Sequence, residues 1–255
     1  MQYPDSIDEE EIMATSTFRQ ALEEAIAQRH SAVHPFSDAW VSGRLSKPLL
    51  GEWVKQHYHY VSHFSEWLAT VYGDCPHEDV REFLLENITE EEGVTGQAGF
   101  PAVQHTKLLL DFAEACGKSR DEIVNARTNG ELLAETLGLQ SWCSVQARKP
   151  FAEALAGLVV GLESQVPKIY SKTTPPLIEK YGFTEDEIVF FRLHIVADDE
   201  HGERGFEILE KYATTPEQQA SCIRMVKEAT LMRRLYLDGL WNKYLVPAAA
   251  RMAAE

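Results

Sequence analysis

Hydrophobic residues recur at the 3.6-residue spacing of a helix along almost the whole 255-residue chain. No segment alternates apolar and polar residues as a half-buried strand does, and Asn129-Gly130 lies between helical segments rather than between strands. The periodicity predicts helices at residues 15–30, 35–43, 46–73, 77–92, 103–116, 119–146 (broken near Asn129-Gly130), 150–180, 184–212 and 215–246. We therefore expect an all-α bundle.

Helix start signals support these boundaries. Ser46 precedes an early proline, and both Thr184 and Thr215 are followed three residues later by Glu or Gln, the pattern of a capping box. No repeat and no linker divides the chain. The sequence predicts a disordered acidic N-terminus at residues 1–12 and one helical domain at residues 13–255.

Composition limits the class of partner. The formal net charge is -16, which argues against binding to nucleic acid or to an anionic membrane surface. The N-terminus has no apolar signal segment, and no apolar run reaches the length of a membrane span. The four cysteines are scattered, which is typical of reduced thiols. These features predict a cytoplasmic protein.

Ionisable residues lie on the apolar face of the helix predicted at 184–212. On a helical wheel Asp198 lies roughly 40° and His201 roughly 20° from His194, whereas Asp199 points away. Two imidazoles and a carboxylate on one buried face are either metal ligands or hydrogen-bonded core residues, and this triplet alone does not decide between them.

Three other segments each offer one inward ligand. The wheel places Glu91, rather than Glu90 or Glu92, on the buried stripe of its helix, and it places His105 beside the next apolar face. Taken alone, Glu91 is more typical of a solvated helix end, and His105 is more typical of a hydrogen-bonded core histidine. Glu163 ends an apolar run and needs a metal or a cation such as Arg192. Together, three carboxylates and three imidazoles suit two iron or manganese ions.

These residues resemble the haem-oxygenase-like diiron oxidases and oxygenases. The resemblance covers residues 15–245 and rests on Asn87-x3-Glu91-x-Gly93, His105-x6-Phe112-Ala113, Glu163-Ser-Gln-Val-Pro167 and His194-x3-Asp198-x2-His201. His34-Pro35-Phe36 is similar to a segment of the pyrroloquinoline-quinone synthesis proteins, which share the fold. Two departures are Ser37, where some relatives have tyrosine, and Thr173, where some have lysine.

The resemblance implies a bundle of about seven core helices without haem, often a homodimer. It implies the same six ligands. The loop between Glu91 and His105 (residues 94–104) leaves Glu90 or Glu92 as alternatives to Glu91 as the first ligand. The resemblance also implies two irons (or manganese and iron), O2 as co-substrate, a small carboxylate or amine as substrate and an external electron donor. The substrate-pocket candidates, on or near an aromatic-rich helix, are His34, Tyr58, Tyr60 and His63.

Two alternatives remain open at this point. One is a metal-free enzyme that acts on a heterocycle, like the quinone synthases or the thiaminase-like relatives, with Cys143 as the candidate nucleophile. The other is a non-catalytic helical interaction protein whose inward charges pair with one another. We further expect Glu187 or Asp199 to hydrogen-bond the ligand histidines.

Overall fold

The protein is described here by a computed structural model that covers residues 17–97 and 99–246. Within these residues the chain forms helices and no strand, which confirms the all-α prediction. The helices are α1 (Phe18–Ala27), α2 (Pro35–Val41), α3 (Lys47–Val61), α4 (Phe64–Asp74), α5 (Glu78–Glu91), α6 (His105–Ala115), α7 (Arg120–Val124), α8 (Ala134–Gln146), α9 (Phe151–Leu155), α10 (Val166–Glu179), α11 (Val189–Tyr212) and α12 (Pro216–Leu240).

Two of the predicted caps form as expected. The Ser46 hydroxyl accepts the Leu49 amide at the start of α3, and Thr215 forms a reciprocal capping box with Gln218 at the start of α12. At Thr184 the backbone amide donates to Glu187, but the chain first makes a 3-10 turn before α11 begins at Val189. The predicted disordered segment 1–12 lies outside the described residues.

Two long helices predicted from periodicity are interrupted. The segment 46–73 breaks at Ser62-His63 into α3 and α4, so the prediction of one continuous helix is wrong. The segment 150–180 is also divided: α9 passes into a π-helical turn (Ala156–Val160), then a 3-10 turn (Glu163–Gln165), and only then into α10. Periodicity missed both breaks because the apolar pattern continues across them.

Close packing against glycine accompanies the second break. A Cβ atom at Gly161 would lie 2.5 Å from the Cβ atom of Ala229 on α12, and one at Gly157 would lie 2.4 Å from the Gln146 side chain on α8. The absence of a side chain at both positions lets the segment approach α8 and α12 closely. This approach carries Glu163 into the interior.

The core lies between α3, α10, α11 and α12, with aromatic rings at its centre. Trp40 packs against Trp53 and Phe191 at ring-centroid distances of 5.0 and 5.9 Å, and Tyr170 packs against Phe191 at 5.1 Å. Such edge-to-face pairs favour one arrangement of the helices. Among the described residues, no helix combines the length and the apolar character that spanning a membrane requires.

Candidate metal centre

Four segments bring carboxylates and imidazoles together in the core. The C-terminal turn of α5 provides Glu90 and Glu91, the first turn of α6 provides His105, and the 3-10 turn provides Glu163. The middle of α11 provides the other three candidates. The resulting clusters are Glu91, His105 and His194, and Glu163, Asp198 and His201; within each, one potential ligand atom per residue lies within 4.8 Å of the others.

In the first cluster the two histidines adopt fixed orientations. Glu91 Oε2 lies 3.1 Å from His105 Nδ1, and the rings of His105 and His194 meet edge-on at 4.7 Å between centroids. His194 Nδ1 lies 2.7 Å from the Phe190 carbonyl oxygen, a contact that requires the proton on Nδ1. The other nitrogen, Nε2, therefore carries the lone pair that a metal needs.

In the second cluster a network of amides and carboxylates surrounds His201. Glu163 Oε1 lies 2.8 Å from His201 Nδ1 and accepts a 3.2 Å hydrogen bond from the Asn87 amide. His201 Nε2 lies 2.9 Å from Glu90 Oε2 and 3.0 Å from Gln97 Nε2. The network positions the carboxylate and the ring before any ligand is bound.

Burial and mutual charge shift the protonation of both clusters. Burial alone disfavours a charge on Glu91, but the neighbouring His105 holds its pKa at about 2. Burial, with His105 nearby, lowers the pKa of His194 to about 4, so that its ring is neutral. Burial, together with the Glu163 charge, raises the pKa of Asp198 well above its ordinary value. Burial disfavours a charge on His201, but the Glu163 and Glu90 carboxylates that it contacts raise its pKa well above its ordinary value, so that its imidazolium offsets part of the negative charge in the metal-free protein.

The donor atoms fit a hard or borderline metal ion. Glu163 Oε2 is buried and forms no hydrogen bond among the described residues, and His105 Nδ1 lies 3.1 Å from Glu91 Oε2 in a geometry that does not make a hydrogen bond. Leaving such atoms unpaired is costly unless they have a ligand. Carboxylate oxygens and imidazole nitrogens without thiolates suit iron or manganese rather than structural zinc. The residues present therefore fit two such ions, one for each cluster.

A cavity of about 50 Å³ opens directly onto both clusters. Five of the six predicted ligands line it, all except His201. The remaining wall is aromatic and apolar apart from Arg233, His57 and Thr106, and includes Tyr60, Tyr170 and Phe190. A small molecule in this space would contact the ligand residues while water is largely excluded.

Of the four predicted pocket residues, only Tyr60 lines this cavity. Tyr58 lies two residues earlier on α3, hence on the opposite side of the helix, and packs against His59. His63 lies beyond the break after α3 and contacts Glu66 near the surface. His34 caps α2 and lies 3.0 Å from Asp238. These three side chains therefore do not line the cavity at the candidate metal centre.

The sequence interpretation missed several residues at the site. It placed Glu90 away from the core, yet Glu90 is only 9% exposed and contacts His201, because both sides of the last turn of α5 are covered. His57, one turn before Tyr60 on α3, also lines the cavity and was not among the predicted pocket residues. The sequence interpretation did not consider Arg233, the one buried arginine among the described residues. An arginine on the apolar face of α12 was the available signal.

Other predicted contacts do not form. Arg192 pairs with Glu185 and does not reach Glu163. The predicted support from Glu187 or Asp199 is wrong: Glu187 accepts the Thr184 amide, Asp199 is exposed, and the Phe190 carbonyl holds His194 instead.

Cys143 is fully buried, burial raises the pKa of its thiol, and it does not line the cavity. Cys143 is therefore not positioned to act as the nucleophile that the metal-free, thiaminase-like alternative requires.

An all-helical fold with paired carboxylate and histidine clusters defines a metal-binding protein of the haem-oxygenase-like class. A TenA homologue from Pseudomonas syringae pv. tomato has a similar structure, with a TM-score of 0.75, 16% identity and coverage of 94% of this chain and 99% of that one. A domain with a haem-oxygenase-like fold from Shewanella denitrificans matches with a TM-score of 0.68, 18% identity and 94% coverage of each chain.

The chain belongs to the family of iron-containing redox enzymes, whose pattern matches residues 51–234. It is similar to the 4-aminobenzoate synthase of Nitrosomonas europaea, with 31% identity over 91% of this chain and 94% of that protein. It is also similar to the pyrroloquinoline-quinone synthase of Acidiphilium cryptum, with 22% identity over 92% and 93%. The predicted iron-dependent oxidoreductase class and the predicted family are thereby confirmed.

Proposed function

We propose that this protein is a non-haem dimetal oxidase or oxygenase that uses O2 to oxidise a small molecule bearing a carboxylate or an amine. The observation that carries the proposal is the pair of adjoining clusters, which offers three ligands to each of two ions around one cavity. Two irons are the favoured content because the family is iron-containing, and manganese with iron also suits the donors. An external electron donor and a homodimer are part of the same proposal.

The residues of the chain would hold the ions and exclude water. Glu91, His105 and His194 would bind one ion, and Glu163, Asp198 and His201 the other. Iron bound in these clusters would supply the redox chemistry with O2. Asn87 keeps the Glu163 carboxylate in place, and the Phe190 carbonyl fixes the tautomer of His194. The aromatic wall around Tyr60 and Tyr170 would keep the substrate away from bulk water.

The substrate class is supported by the relatives and by the cavity. The protein from Nitrosomonas europaea is named for 4-aminobenzoate, a small molecule that carries both an amine and a carboxylate. The cavity here is small and mostly apolar, but Arg233 and His57 lie in its wall. A compact molecule with one polar end fits that lining better than a lipid or a polymer.

Iron loading tests the proposal. The protein would be loaded anaerobically with Fe(II), desalted, and assayed for bound iron and for absorbance changes on mixing with O2. We expect about two irons per chain in the wild type. Asp198→Asn should lower the iron content at least about tenfold at limiting Fe(II), because a charged ligand is replaced by a weak one.

Asp199→Asn is the matched control. This substitution makes the same chemical change one residue along α11, at an exposed side chain that contacts neither cluster. It should retain iron as the wild type does. If the wild type retains no iron, or if the two variants lose iron equally, the metal assignment is wrong and the cavity must serve a metal-free reaction.

A further inference from the structure

A second cavity, of about 40 Å³, lies beside the one at the metal centre. The two share three lining residues, His57, Tyr170 and Arg233, which form the boundary between them. Each volume is several times the ~10–15 Å³ that one water molecule requires. The second space is therefore large enough for a compact polar group whose attached body extends into the first.

Arg233 is a buried cation without a contacting acid. It is 6% exposed, and its only hydrogen bond among the described residues is a 2.7 Å donation from Nη1 to the Leu162 carbonyl oxygen. No carboxylate of residues 17–97 or 99–246 lies within 4.0 Å of it. A guanidinium has five N–H donors, and burying its charge without an anionic partner is costly.

Three further polar atoms in the same wall lack partners. Ser31 Oγ, His57 Nδ1 and the Tyr236 hydroxyl are each buried and form no hydrogen bond among the described residues. Burial, and then the Arg233 charge, lowers the pKa of His57 well below its ordinary value, so its ring adds no second cation. One cation surrounded by free neutral donors and acceptors matches a single negative charge spread over two oxygens.

The other lining residues indicate what carries that charge. Phe36, Trp40 and Trp53 form much of the remaining wall of the second cavity, which suits the carboxylate end of a largely apolar molecule better than a phosphate or a sugar. Asp198 of the second metal cluster feels the Arg233 charge without touching it. That carboxylate is needed as a metal ligand and leaves the guanidinium free for a separate anion.

We propose that Arg233 and the hydroxyl of Tyr236 bind the carboxylate of a small organic acid, and that this contact aims the rest of the molecule at the metal centre. The inference deepens the proposed function, on which it rests, by assigning the substrate a carboxylate and giving that group a site separate from the metal ligands. In this arrangement the carboxylate does not compete with O2 for the ions.

Calorimetry on the metal-free protein tests the proposal independently of iron. Benzoate is the probe, and benzamide is its neutral counterpart of nearly the same shape. We expect benzoate to bind at least about tenfold more tightly than benzamide, since only the anion pairs with the guanidinium. Because no metal is present, a protein that fails to retain iron can still pass this test, and one that retains iron can still fail it.

Two variants and a control locate the binding. Arg233→Gln should weaken benzoate binding by about 10–100-fold and leave benzamide binding nearly unchanged. Tyr236→Phe removes only an unpaired oxygen, so the fold should be retained, and benzoate should bind about 3–10-fold more weakly. Arg234→Gln changes the neighbouring arginine, which lines neither cavity, and should bind benzoate as the wild type does.

Three results would overturn the proposal. The first is equal binding of benzoate and benzamide, which would mean that Arg233 only balances the acidic clusters. The second is no benzoate binding by the wild type. The third is wild-type benzoate affinity in folded Tyr236→Phe together with equal losses in the two arginine variants.

Discussion

Adjacent residues on α11 have opposite environments. Asp198 is 4% exposed and belongs to a ligand cluster, whereas Asp199 is exposed. The difference follows from the 100° rotation per residue in a helix, which turns one carboxylate into the core and the next into water. The same geometry brings His194 and His201 to the side of Asp198. At this scale chemical identity matters less than position on the wheel.

His30 offers a pH test at the residue scale. Its Nδ1 accepts the Ala32 amide at 3.1 Å, and burial, followed by the charges of Lys168 and Arg233, lowers its pKa to about 4. The folded protein thus favours the neutral ring, while the unfolded chain binds a proton near pH 6.5. This contribution to stability is intact above pH 6.5 and is lost as the pH falls towards 4.

The variant His30→Asn keeps a capping acceptor and cannot titrate in this range. Between pH 7.5 and pH 5 the wild type should lose about 2 kcal/mol more free energy of unfolding than the variant does. Urea denaturation at the two pH values measures both slopes. Identical slopes would show that His30 titrates normally in the folded state.

At the scale of the element, the interrupted segment between α9 and α10 determines where Glu163 lies. A π-helical turn adds a residue to the helical repeat and so rotates everything that follows it. Glu163 comes three residues after that turn and enters the second cluster beside His201. A regular helix through the same residues would place Glu163 on a different face.

Gly161 and Gly138 provide a matched pair of substitutions at this scale. Gly161→Ala would bring a Cβ atom 2.5 Å from Ala229 Cβ and 2.8 Å from the Gly157 carbonyl oxygen. We expect a loss of about 1–3 kcal/mol in the free energy of unfolding and weaker iron retention, because the segment carrying Glu163 must shift.

Gly138→Ala makes the same change on α8 with 3.8 Å to the nearest atom, on Met232. It should stabilise the protein by about 0.5–1 kcal/mol, since alanine is the better helix former. Urea denaturation and iron content would be measured for both. Equal effects of the two substitutions would mean that the close approach at Gly161 does not hold the segment.

For the whole molecule, the ligands connect parts of the chain that are far apart in sequence. The first cluster joins α5, α6 and α11, and the second joins the 3-10 turn and α11, so separation of any of these segments leaves at least one ion without its full ligand set. The free energy of metal binding therefore adds to the stability of the folded protein. In the metal-free protein the crowded carboxylates oppose folding, as the raised pKa of Asp198 indicates.

Mn(II), which is stable in air, tests this coupling. At a concentration of about 100 times its Kd the ion should stabilise the fold by about 2.7 kcal/mol. For a chain of this size that corresponds to a rise of roughly 5–10 °C in Tm by differential scanning fluorimetry. His105→Ala should lose most of the rise. Mg(II) should produce little, because imidazole ligands disfavour it, and an equal rise with Mg(II) would contradict a specific site.

Helical periodicity in the sequence alone determined the all-α class, most of the helix boundaries and which residues of α11 face inwards, because these depend on local geometry. The family motifs added the iron-dependent redox class. The pocket depended on contacts between segments: periodicity cannot show that Tyr58 and His63 lie away from the cavity, or that Arg233 of α12 reaches the boundary between two cavities. Which side of a helix meets a cavity is set by how helices pack around it, and that arrangement exists only in the tertiary structure.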